Sequence, residues 1–236
     1  MNDIKIHKHI YFIHIPKTSG SSLKSKQIIK QWHKFNVENI YRTPMKIFGW
    51  DTNFWPTYEY PKTPNTKISI IRNPFDLLCS YYHHCEKNLH YLHNGWASVN
   101  CIHKFKTFKE FIIAYCNPNF KWHQPQFHKF LFSQLFDINH NCVADIIIKY
   151  EYLEEAKKIL NTKLDHPIED SCLNKSKVKK KSYKEYYDKE MIELVNKKCH
   201  RELKYFNYNF DGSTKHEPLI INCNIKYDVY NDNIID

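Results

Sequence analysis

Four short apolar runs punctuate the chain, at residues 9–15 (HIYFIHI), 45–50 (MKIFGW), 67–72 (KISIIR) and 143–150 (VADIIIKY). They are rich in β-branched and aromatic residues, and their length predicts buried strands. Between and after them, apolar positions recur at intervals of three and four, predicting helices near 21–34, 75–92, 107–116, 123–136 and 151–161. Strands that alternate with helices imply an α/β fold on a mostly parallel sheet, with helices on both faces. A further helix over 183–206 puts Tyr187, Met191, Leu194, Val195, Cys199, Leu203 and Phe206 on one stripe, with Lys and Glu opposite. Residues 52–66, with three prolines and four aromatics, and the Lys-rich segment 171–182 read as loops. On this pattern residues 1–210 form a single domain, and 211–236 are a C-terminal extension that wraps the domain or frays.

Composition narrows the class. With 42% hydrophobic and 16% aromatic residues, the 236-residue chain has ample material for a core and is not intrinsically disordered. Its formal charge of +10 attracts anions: nucleic acid, an anionic membrane, a polyanionic glycan or a phosphorylated cofactor. Charge alone does not choose among them. No stretch approaches the roughly 18 apolar residues of a membrane span. The N-terminus lacks both a long apolar region and a small-residue cleavage site, so a soluble cytoplasmic protein is expected. The eight cysteines are scattered without a C-x-x-C pair, which fits reduced thiols.

The loop behind the first strand carries the first chemical signal. In HIPKTSGSSL (14–23) a strand runs into a turn and then a helix, so unpaired backbone N–H groups of the first helical turn point outward. Lys17 and the hydroxyls of Thr18, Ser19, Ser21 and Ser22 complete an anion cradle, and Gly20, one of only four glycines, lets a ligand approach the backbone. An N-capped helix start explains the same residues without a ligand. The loop is not a Walker A motif, because Lys17 precedes Gly20.

A second signal lies in ISIIRNPFDLLCSYY (68–82). Arg72 ends a strand, Pro74 suits the first turn of a helix, and Ser80 falls about two turns into it. A guanidinium and a hydroxyl so placed can hold one phosphate. Together, HIPKTSGSS and RNPFDLLCS resemble the 5′-phosphosulfate and 3′-phosphate loops of the PAPS-dependent sulfotransferases, with most likeness to the carbohydrate, heparan sulfate 2-O-sulfotransferase-like group. Weaker likenesses follow in IIIKYEYLEE (146–155), NKS (174–176) and KYFNYNF (204–210), so the resemblance spans roughly residues 9–210. An apolar residue, Leu78 or a neighbour, stands where the family carries a second Arg, which shifts weight to lysines from elsewhere.

The resemblance implies a three-layer, P-loop-like central parallel sheet flanked by helices, and transfer of a sulfuryl group from PAPS to an acceptor hydroxyl, with a carbohydrate as the expected acceptor. It assigns Lys17 to the leaving group and Lys17, Thr18, Ser19, Gly20, Ser21, Ser22, Arg72, Ser80, Ser176 and Lys177 to PAPS, with Lys175 and Lys179 as further contacts to the 3′-phosphate. Sulfuryl transfer proceeds through a loose in-line transition state, so positioning and charge stabilisation carry it and no metal is required. A base for the acceptor hydroxyl is still needed. Asp51, in KIFGWDTNFW, lies next to the place where the relatives carry a His; it is the candidate, with His83, His84 and Glu59 as alternates and a turn-capping role as the plain explanation.

Other features weigh less. The segment 83–103 holds five His and two Cys at spacings that match no common zinc pattern. Trp122 and His123 open an aromatic stripe that fits core packing or an acceptor cleft. Two other readings remain: a nucleotide or small-molecule kinase, which the missing Walker A pattern disfavours, and a basic polyanion-binding protein, for which salt-sensitive binding indifferent to Lys17 is diagnostic. Nucleic acid is not the expected partner.

Overall fold

The computed structural model describes residues 10–13, 15, 18, 66–87, 105–120, 132, 135, 141–163 and 181–225. In chain order its elements are β1 (Ile10–Ile13), β2 (Thr66–Ile71), α1 (Pro74–Lys87), α2 (Phe108–Cys116), β3 (Ile146–Lys149), α3 (Leu153–Asn161), α4 (Lys189–Lys198), α5 (His200–Tyr205), β4 (Tyr208–Asn209), β5 (Gly212–Ser213) and β6 (Leu219–Ile221). Single 3₁₀ turns occupy Tyr150–Tyr152 and Tyr183–Tyr186. The chain divides into two compact units that alternate along it. The first is Met1–Arg72, Phe132–Val178 and His216–Asp236; the second is Asn73–Leu131 and Lys179–Lys215.

The first unit is α/β, with a small mixed sheet in the order β1-β2-β3-β6. β1, β2 and β3 run parallel, and β6 runs antiparallel to β3. Ile68, Ile70 and Ile71 of β2 and Ile146, Ile147 and Ile148 of β3 are all buried, as expected of parallel strands covered on both faces. That double burial is why these strands show as continuous apolar runs in the sequence. The buried Ser69 satisfies its hydroxyl by donating to the Ile13 carbonyl at 2.8 Å. Asp145 fixes where β2 and β3 begin to pair: its carboxylate accepts from Lys67 N at 2.7 Å, and its own N–H donates to Lys67 O at 2.8 Å. Behind β3, α3 buries Leu153, Ala156 and Leu160 at helical spacing.

Residues 211–236 enter the sequence reading as an extension; within them Leu219–Ile221 forms the fourth strand of the sheet, paired with β3 in the register Ile146↔Ile221 to Ile148↔Leu219. The expected strand 45–50 and helix 21–34 lie outside the described residues. So does the expected helix 123–136, apart from Phe132 and Leu135, both fully buried.

The second unit holds α1, α2, α4, α5 and the β4–β5 hairpin around an aromatic core. Phe75 is fully buried, with ring centroids 5.3 Å from Tyr187 and 5.1 Å from Phe210 in edge-to-face geometry. Phe108, Phe111 and Tyr115 of α2 are buried as well. The expected single helix over 183–206 is corrected to three pieces. Ser182 starts the 3₁₀ turn with a capping box shared with Glu185, Tyr187 is extended (φ −96°, ψ 133°), and Asp188 caps α4 by accepting from Met191 N at 2.9 Å. A second break falls at Cys199 between α4 and α5. The local caps outcompete a continuous helix, yet Tyr187, Met191, Val195, Cys199, Leu203 and Phe206 all stay buried.

Asp188 also accepts from the Lys109 ammonium at 2.8 Å, and Glu190 lies 2.6 Å from the same nitrogen. The Lys109 hydrogen bond, then the Met191 N–H, hold the Asp188 carboxyl below its ordinary pKa. A depressed folded-state pKa contributes stability above the unfolded pKa of about 3.9, lost as pH falls through the folded value. Urea denaturation across acidic pH should therefore show a shallower acid loss in Asp188→Asn, which keeps the capping oxygen but does not titrate, than in wild type.

Candidate functional site

Neighbouring parallel strands end at the same edge of a sheet, so the loops that follow β1, β2 and β3 open together. Because β6 runs antiparallel, the residues that precede it, 216–218, reach the same edge. After β1 the chain is buried at Ile15 and Thr18, and the Thr18 hydroxyl donates to the Ile15 carbonyl at 2.7 Å, closing a tight turn. That proton is committed to the turn, so Thr18 shapes the loop with its side chain.

Arg72 follows β2. The register Ile71↔Lys149 brings it beside Tyr150, and the guanidinium carbon stands 4.4 Å from the centre of the Tyr150 ring. The guanidinium of the half-buried Arg72 thus stands over an aromatic ring at the carboxyl edge. Lys149, the last residue of β3, is fully buried, with its ammonium 3.6 Å from Glu217 and its backbone N–H donating to Pro218 O at 3.2 Å. A buried ammonium facing a carboxylate is held for structure, which leaves Arg72 as the more accessible of the two cations. Beside them His216 Nε2 lies 3.1 Å from the Glu155 carboxylate, and its ring packs edge-on against Tyr152 at 4.6 Å.

In the second unit the chain immediately after Arg72 shows why Arg-Asn-Pro is followed by a helix. Asn73 is buried; its Oδ1 accepts from Phe75 N at 3.0 Å, its carbonyl accepts the first helical bond from Leu77 N at 2.8 Å, and Pro74 takes the first helical position. The Asn73 amide also donates to Asn209 O of β4 at 2.8 Å. Ser80 lies half-buried in α1, about two turns after Pro74, where the sequence places it. Leu77 and Leu78, at and beside the missing second Arg, are fully buried core residues. His83, one alternate base, packs edge-on against Tyr186 at 4.7 Å and Tyr82 at 5.4 Å.

Of the expected site residues, Thr18, Arg72 and Ser80 are described. Lys17, Ser19, Gly20, Ser21, Ser22, Asp51, Ser176 and Lys177 lie outside the described residues, as do Glu59, Lys175, Lys179 and the His84 side chain. Sequence reasoning missed the parts Tyr150, Lys149 and Glu217 play at this edge. The segment IIIKYEYLEE was visible as a strand ending in aromatics, but its meaning depends on β2 being the neighbour of β3. Among the described residues no group of three or more His, Cys, Asp or Glu is placed to hold a metal ion. No protein-family model, characterised protein or solved structure matches the chain.

Proposed function

We propose that the protein is a PAPS-dependent sulfotransferase acting on a hydroxyl acceptor, with a carbohydrate as the expected class. The observation that carries this reading is the parallel pairing of β1 with β2, in the register Ile10↔Thr66 to Ile13↔Ser69. It brings the ends of the strands leading to HIPKTSGSS and to Arg-Asn-Pro to one edge of one sheet. A nucleotide bearing phosphates at both ends of its ribose needs two separate anion grips, and these are the two most anion-suited turns in the sequence. Arg72, half-buried and oriented by Tyr150, fits the role of a phosphate ligand.

In this mechanism Lys17 and the backbone amides of residues 18–22 hold the 5′-phosphosulfate end, while Arg72, helped by Ser176 and Lys177, takes the 3′-phosphate. Asp51 removes the proton of the acceptor hydroxyl as the new O–S bond forms. Lys17 neutralises the charge that develops on the bridging oxygen as the old S–O bond breaks, and adenosine 3′,5′-bisphosphate leaves. A P-loop-like three-layer architecture is the arrangement this reading entails for the whole chain.

Calorimetry with adenosine 3′,5′-bisphosphate tests it directly. The wild-type protein should bind the bisphosphate in the micromolar range without added Mg²⁺. Heat that is absent up to millimolar ligand refutes the reading, and binding that appears only with ATP and Mg²⁺ points to a kinase.

A further inference from the structure

In the second unit the β4–β5 hairpin turns through Asp211 into Gly212, the first residue of β5. An Asp followed by Gly is the pair in which a backbone nitrogen most readily attacks the side chain before it, because glycine puts no Cβ in the way. Gly212 has φ +144°, a backbone that residues with a side chain rarely adopt, and no atom lies within 4 Å of where its Cβ would stand. The Asp211 side chain is 80% exposed and meets the Lys184 ammonium at 3.1 Å. Nucleophile, carboxyl carbon and room for a ring therefore coincide at one surface turn.

The same turn is tied from several sides. Asn209 Oδ1 accepts from Asp211 N at 2.9 Å and from Gly212 N at 3.0 Å, an Asx turn that occupies the very N–H whose nitrogen would attack. Asn209 O accepts from the Asn73 amide at 2.8 Å, and Phe210 O accepts from the Tyr183 hydroxyl at 2.6 Å. The Phe210 ring stands edge-on to Phe75 at 5.1 Å and to Tyr187 at 5.7 Å. Swinging the Asp211 carboxyl over Gly212 N thus works against the Asn209 hydrogen bond and the Lys184 contact, on a backbone anchored just ahead of it.

We infer that Asp211–Gly212 is a site of spontaneous isoaspartate formation, and that the Asn209 side chain sets its rate. Gly212 N bonds to the Asp211 side-chain carboxyl carbon, closing a five-membered succinimide. One carboxylate oxygen leaves as water, taking the Gly212 amide proton and one proton from solvent. A water then opens the ring at either carbonyl and a proton returns to solvent. Opening at the backbone carbonyl leaves isoaspartate, so no atom is gained or lost overall. The product has a backbone one atom longer and a free α-carboxylate, the mark that carboxyl methyltransferases using S-adenosylmethionine recognise. The hairpin becomes a methyl acceptor as the protein ages, and the added atom falls between Asn209 and Gly212, which pair across it. The inference is independent of the transferase reading.

The test stores the full chain at neutral pH and body temperature for several weeks, beside a free peptide of residues 205–215. Isoaspartate at residue 211 is followed by peptide mapping with electron-transfer fragmentation. This separates it from deamidation at Asn94–Gly95, which changes the mass and lies outside the described residues. Wild type should convert steadily but more slowly than the peptide, which lacks Asn73, Tyr183 and Lys184. Asn209→Ala should convert roughly 2- to 10-fold faster than wild type, the worth of one net hydrogen bond. Asn209→Asp keeps an oxygen acceptor in the same place and should stay near the wild-type rate, which distinguishes the lost hydrogen bond from a disrupted hairpin. Aged wild type should take methyl groups from S-adenosylmethionine and an isoaspartate methyltransferase on the peptide containing residue 211, and aged Asp211→Glu should not. Wild type that stays free of isoaspartate at 211 while the peptide converts overturns the site. A wild-type rate equal to that of the peptide, or unchanged in Asn209→Ala, overturns the part assigned to Asn209.

Discussion

Replacing Lys17 with Ala should lower sulfuryl transfer at saturating PAPS about 10²–10³-fold, the usual cost of removing one preorganised group that stabilises transition-state charge. The loss should fall mainly in kcat, because the bridging oxygen acquires its charge only as the S–O bond breaks. Arg72→Ala should behave differently. A charge-assisted contact to a phosphate contributes about 1.5–3 kcal/mol, so adenosine 3′,5′-bisphosphate affinity should fall roughly 10- to 100-fold with a smaller effect on the chemical step. Arg72→Lys should recover only part of it, since an ammonium lacks the forked, planar geometry of the guanidinium that stands 4.4 Å over Tyr150. The comparison needs calorimetry for binding and release of adenosine 3′,5′-bisphosphate, with an oligosaccharide acceptor, for turnover. If Lys17→Ala turns over at the wild-type rate, the leaving-group assignment fails; if both variants bind the bisphosphate as wild type does, the two-loop site fails with it.

The second large effect concerns stability. Phe75→Ala should destabilise the second unit by about 3–5 kcal/mol, the range for removing a fully buried aromatic side chain. Phe75 is fully enclosed, meets Tyr187 and Phe210 edge-on, and offers its carbonyl to the Tyr187 hydroxyl at 2.9 Å. Removing its ring opens a cavity where α1 begins, at the residue after Pro74. Phe75→Leu should cost clearly less, because the cavity is smaller. Urea denaturation followed by near-ultraviolet circular dichroism measures the difference, and equal midpoints for wild type and Phe75→Ala would contradict the packing described.

How much of this was legible in the sequence varies by element. The runs 67–72 and 143–150 correspond to Thr66–Ile71 and Ile146–Lys149 because those strands are buried on both faces and so read as Ile-rich runs. The helix expected at 107–116 is Phe108–Cys116, started by Thr107 accepting from Glu110 N. The break before Asp188 was hidden, because the buried stripe continues through it and periodicity registers the stripe rather than the backbone. β6 was hidden for another reason: three residues carry too little pattern, and their strand exists only because β3 offers an edge. The placement of Arg72 just after a strand and of Ser80 in the helix that follows was readable from Asn-Pro. The Tyr150 platform and the Lys149–Glu217 pair were not, since each depends on which strand lies next to which.

The interleaving of the two units also places the synthesis of the fourth strand after every residue of the second unit. The second unit is complete once Lys215 has been made, whereas the sheet of the first still waits for Leu219–Ile221. Until those residues emerge, the backbone of β3 on its β6 side has lost no partner but has not yet gained one, and an open strand edge is a template for pairing with other chains. Until β6 docks, that edge of β3 is open to mispairing, and three short apolar residues close it.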